Sequence, residues 1–126
     1  MAGAPRAVDG LRAFLMAPVG DPDGVAAQRG CLLANSTCEL VTSDDEVRAE
    51  ARRVYEETTA LVAECVTRAQ AEGDLPGHAD PVETARALLA AQHGLMFTGR
   101  SGLGVEVLAR TAQTLASQLL GEPADR

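Results

Sequence analysis

The sequence predicts an all-α fold of five helices, and three observations carry that prediction. Ala and Leu, both strong helix formers, abound, while aromatic residues are limited to one Tyr, two Phe and no Trp, and few runs gather the β-branched and aromatic residues that strands favour. Apolar residues recur at three- and four-residue steps along much of the chain. Helix-start chemistry precedes two of the periodic runs, and Gly or Pro closes several. At 126 residues the whole chain, 1–126, reads as one domain. Size scaling lets it bury roughly two thirds of its unfolded surface in a single core, so it needs no disulfide or metal staple.

The first helix is expected over 7–17, where Val8, Leu11, Phe14 and Leu15 are helically spaced. Pro18, Gly20, Asp21, Pro22 and Gly24 then break the chain. A second helix follows from Arg29, with Cys31, Leu32, Ala34, Asn35, Cys38, Leu40 and Val41 giving it an apolar face. Ser43-Asp44-Asp45-Glu46 has the pattern of a capping box, with Ser43 as N-cap and Glu46 reaching back. The third and longest helix starts there. Val47, Ala51, Val54, Tyr55, Thr58, Leu61, Val62, Cys65, Val66 and Ala69 mark one side, Arg48, Arg52, Arg53, Glu56, Glu57, Glu64 and Arg68 the other. It ends near Glu72, with Gly73 as the stop, after about 40 Å.

Asp80-Pro81-Val82-Glu83 is a second start signal, with Asp as N-cap, Pro at the first helical position and an acid in the positive first turn. The fourth helix, 81–98, spreads Val82, Ala85, Leu88, Leu89, Gln92, Leu95, Met96 and Phe97 over more than one face. Two apolar faces require two packing partners, one of them outside the chain. Gly99, Gly102 and Gly104 break this helix, and a fifth over 105–120 carries Val107, Leu108, Ala112, Leu115, Ala116, Leu119 and Leu120 before Gly121 and Pro123.

Charge excludes several functions. With 18 acidic and 11 basic residues the net charge is −7, the wrong sign for gripping a phosphate backbone or an anionic membrane. Asp9 and Arg12 interrupt any signal-peptide core, and no run reaches the roughly 18 apolar residues of a membrane span. A cytoplasmic protein is expected. Cys31, Cys38 and Cys65 lack paired C-x-x-C spacing and read as reduced core thiols; Cys31 and Cys38 share a helix face, which leaves a redox sensor conceivable. His78 looks like plain loop, and His93 like a core or interface residue able to serve a ligand. No metal or cofactor is expected. Residues 94–101 nearly spell a phosphate-binding loop but end a helix where such a loop opens one, and Asn35-Ser36-Thr37 fits a glycosylation sequon in the wrong setting. No converging catalytic set is evident, so no enzyme is expected.

The segment RGCLLANSTCEL (29–40), the capped long helix, then AQAEGDLPGHADPVETARALLAAQHGLMFTGRSG (69–102) and LARTAQTLASQLLG (108–121) together resemble the C-terminal effector-binding and dimerising domain of TetR-type transcriptional regulators of the AcrR-like kind. That resemblance implies a homodimer whose last two helices form an intersubunit four-helix bundle, here through Leu88, Leu95, Val107, Leu108, Leu115 and Leu119. It further implies a small, largely apolar effector held inside the helical body. By position, Phe14, Asn35, Tyr55, Thr58, Thr59, Val62, Gln92, His93, Met96 and Phe97 would line that pocket. Regulators of this type reach DNA through a helix-turn-helix of about fifty residues, for which there is no room before Ala7; operator binding by this chain alone is not expected. A helical dimerisation module acting on a partner regulator is the alternative function.

Overall fold

The computed structural model describes residues 6–19 and 44–123. Among these residues the elements are α1 (Ala7–Met16) with a short 3-10 turn (Ala17–Val19), α2 (Asp45–Ala71), α3 (Pro81–Gly99) and α4 (Val105–Leu120), with no strand. The expected helix from Arg29 to Val41, with Asn35, Cys31 and Cys38, lies outside the described residues. All-α architecture is therefore the observed class.

Local chemistry accounts for the helix ends. The N-cap of α2 is Asp44, one residue after the expected Ser43, which lies outside the described residues: the amides of Glu46 and Val47 donate to Oδ1 of Asp44, at 2.9 and 3.2 Å. Asp44 holds an extended backbone (φ −142°, ψ 108°) and brings a full negative charge to the positive end of the helix, which a serine hydroxyl lacks. Asp80 repeats this geometry for α3, accepting from Val82 and Glu83 at 2.9 and 3.0 Å, with Pro81 next. At the far end of α2 the chain reverses through Gly73, whose φ of +85° is accessible to glycine at little cost. The Gly73 amide reaches the Gln70 carbonyl at 3.1 Å and the Asp74 amide reaches Ala69 at 2.9 Å, the paired bonds of a Schellman motif.

The 72–80 connection folds α3 back along α2. Gln70 holds it there, donating through Nε2 to the carbonyls of Pro76 (2.9 Å) and Ala79 (2.7 Å). Helix α1 packs against α2, α3 and α4. Its Leu11 and Leu15 meet Val66 of α2, Leu88 and Leu95 of α3 and Leu120 of α4 in one core. Burying each such leucine contributes about 2 kcal/mol.

Polar ties fix both ends of α1. The Arg6 guanidinium pairs with Asp74 at 2.5 Å and donates to the Glu72 carbonyl at 2.6 Å, while Oε1 of Glu72 accepts the Ala7 amide at 2.8 Å. Glu72 thus caps a helix that carries no cap of its own. Near the other end, Nε2 of buried Gln92 donates to the Phe14 carbonyl at 2.7 Å.

Candidate functional site

Helices α2 and α3 pack side by side, and both line an open groove of about 680 Å³, within the size range of small-molecule sites. One wall is a stripe of α2 built from Arg48, Ala51, Arg52, Tyr55, Glu56, Thr59 and Ala60. The other is a stripe of α3 with Val82, Arg86, Leu89, Ala90 and His93. Both follow from helical spacing, since Arg48, Arg52, Tyr55 and Thr59 recur every three or four residues, as do Arg86, Leu89, Ala90 and His93.

Tyr55 and His93 meet across the groove, ring centroids 5.2 Å apart and planes at 68°, an edge-to-face contact. Burial pushes the His93 imidazole below the ordinary histidine value, so the ring is neutral at pH 7 and offers one donor and one acceptor. The Thr59 hydroxyl is already engaged with the Tyr55 carbonyl at 2.7 Å. Around the rim, Arg52 pairs with Glu56 at 2.9 Å, Arg86 with Glu83 at 2.8 Å and Arg48 with Asp45 at 3.8 Å, all on exposed side chains.

Of the expected pocket residues, the fold brings Tyr55, Thr59 and His93 together in this groove. Val62 lies in the core and Phe14 packs against it. Gln92 faces α1 through its bond to Phe14. Thr58 and Met96 are half-buried outside the groove lining, and Asn35 lies outside the described residues. Phe97 is 55% exposed, with the Arg100 guanidinium 6.0 Å from its ring centroid. Sequence reasoning did not single out Arg48, Arg52 and Arg86 as groove residues; the available signal was their spacing from Tyr55 and His93.

Among the expected pairing residues, Leu88, Leu95 and Leu108 are buried within the protomer, and Leu115 and Leu119 are half-buried against its core. Val107 is exposed, and so are Phe97 near the end of α3 and Leu103 in the α3–α4 turn. Of the near phosphate-loop match at 94–101, residues 94–99 belong to the last turns of α3 and 100–101 to the turn that follows. Among the described residues no group of three His, Cys, Asp or Glu is placed to hold a metal ion, and no helix is long and apolar enough to cross a membrane.

Neither curated proteins nor solved structures gave a match to this chain. A family model described as "Tetracyclin repressor-like, C-terminal domain" matches residues 7–115, a span that runs from the first residue of α1 well into α4. The match covers most of the chain, and the chain belongs to the tetracycline-repressor-like family as its C-terminal regulatory domain, of a type that binds ligands and dimerises and is not known for catalysis.

Proposed function

We propose that this domain senses a small, mostly apolar effector in the α2–α3 groove and works as a homodimer in the cytoplasm. The observation that carries the reading is the groove itself: a volume of about 680 Å³ whose middle is formed by Ala51, Tyr55, Leu89, Ala90 and a neutral His93. Such a mix of apolar wall and few polar groups suits small-molecule binding. Pairing would use the outer faces of α3 and α4 and the turn between them, where Phe97, Val107 and Leu103 respectively are exposed. In the family architecture, effector binding then shifts the balance between two arrangements of the helices and so changes the spacing of the DNA-binding heads.

Phenylnaphthylamine, a neutral fluorescent apolar probe, tests the groove. The domain should bind it with enhanced emission, and Ala90→Trp, which fills the groove from an exposed position, should abolish the signal with far-UV circular dichroism unchanged. Equal binding by the variant would place the probe elsewhere and defeat the reading. Light scattering should report a dimer that Phe97→Glu with Val107→Glu converts to monomer.

A further inference from the structure

We propose that the groove's ligand is an uncharged, largely apolar molecule bearing a hydroxyl group, and that the His93 imidazole is the residue that recognises this hydroxyl. The proposal rests on the groove being the effector site and adds the polar group that the site reads.

Two observations carry it. The first is that the arginines along the groove are balanced within the protein. Arg48, Arg52 and Arg86 pair with Asp45, Glu56 and Glu83, each partner lying three or four positions away on the same helix. A charged ligand would have to displace pairs already formed, whereas an uncharged one leaves them intact.

The second is the state of the uncharged polar side chains. Thr59 donates its hydroxyl proton to the Tyr55 carbonyl at 2.7 Å, and Gln92, one position before His93, turns away and donates to Phe14. His93 lines the groove and packs edge-to-face on Tyr55, yet among the described residues its two ring nitrogens make no hydrogen bond. Burial alone lowers its pKa, with no neighbouring charge among the causes. The imidazole is thus partly withdrawn from water, at a cost that no protein partner offsets, and a ligand's hydrogen bond would recover it.

The hydroxyl follows from the freedom of that ring. Which nitrogen carries the proton is set by the bond the other one makes, and here no protein bond sets it, so either an N–H or a bare nitrogen can be presented to a ligand. A hydroxyl donates and accepts and so matches both forms, whereas a carbonyl or an ether matches one. Ala51, Leu89 and Ala90 line the same groove and suit the apolar body.

Naphthol and naphthalene share one apolar body, are uncharged at neutral pH and differ by the hydroxyl; each is measured as a competitor of phenylnaphthylamine. In His93→Phe, which keeps a ring against Tyr55 and removes both nitrogens, the ratio of naphthol to naphthalene affinity should fall about fivefold from its wild-type value, the worth of one hydrogen bond between neutral groups. Naphthalene should bind the two proteins alike. His93→Gln, which supplies a donor and an acceptor without the ring, should keep part of the preference, as ring packing alone would not. His93→Leu makes the same comparison should the phenylalanine variant fail to fold. A ratio unchanged by loss of the imidazole, equal weakening of both competitors, or displacement by neither overturns the hydroxyl assignment and leaves the groove as a plain apolar site. Failure of phenylnaphthylamine to bind the wild-type domain removes the groove reading together with this one.

Discussion

The two halves of α2 are one continuous helix with opposite relations to the rest of the molecule. Over residues 59–71 five positions are buried, namely Thr59, Val62, Ala63, Val66 and Ala69, whereas over 45–58 only Ala51 is. The second half is gripped by α1 and closed by the Glu72, Asp74 and Gln70 contacts. The first half is laced with surface pairs, including Arg53 with Glu50 and Glu57, and forms most of the groove wall on α2. Helix propensity and i,i+4 pairs keep the open half helical at a few tenths of a kcal/mol per pair, while burial holds the anchored half.

A matched pair of substitutions should break this asymmetry most plainly. Val66 is fully buried and Leu61, five residues earlier on the same helix, is 65% exposed. Val66→Asp, which puts a charge into the core, should cost more than about 4 kcal/mol and leave the domain largely unfolded. Leu61→Asp should change stability by less than about 0.5 kcal/mol. Denaturant melts that gave similar losses for the two would contradict the assigned burial. Next in size, Glu72→Ala removes the cap that one helix end supplies to another and should cost about 1 kcal/mol, with amide exchange accelerated at the start of α1.

The anchored half was largely legible in the sequence because its determinants are local or periodic. Gly73 as a stop and Asp80-Pro81 as a start act through residues within four positions of themselves, so short-range chemistry suffices. Ser43 and Asp44 are adjacent and both are good N-caps, and that is why the expected start fell one residue early. What stayed hidden was helix rotation. Gln92 and His93 differ by one position, a turn of about 100°, yet one bonds Phe14 and the other faces Tyr55 across the groove. Periodicity cannot say which of two apolar faces stays inside the protomer, and Leu88, Leu95 and Leu108 prove to be interior. Arg48 and Arg52 read as solvent-facing charges until α3 is laid beside them.

The two aspartate caps sharpen the comparison with smaller effects. Asp44 and Asp80 accept the same pair of amides at nearly the same distances, but they open helices in different surroundings. Asp80→Ala should lower global stability by about 1 kcal/mol, since the first turns of α3 are tied to the core through Ala85 and Leu88. Asp44→Ala should cost about half as much globally, because the first turns of α2 can fray without uncovering core; its effect should appear as faster amide exchange confined to residues 45–50. Equal global losses would mean that the open half is as firmly held as the anchored one.

The smallest effect tests the groove wall itself. Burial lowers the His93 pKa in the folded state below the ordinary 6.5, so between these two values the unfolded chain binds more protons than the folded one. The stability that neutral His93 supports is therefore fully present above about pH 6.5 and is lost as pH falls through 6.5 toward the folded value. Carboxylates contribute their own acid dependence, and His93→Gln isolates the histidine part: between pH 7.5 and 5.5 the variant should lose less stability than the wild type. Identical losses in denaturant titrations at the two pH values would mean that the ring beside Tyr55 is already as open to water as it is in the unfolded chain. The groove would then lack the dry wall that an apolar ligand body requires.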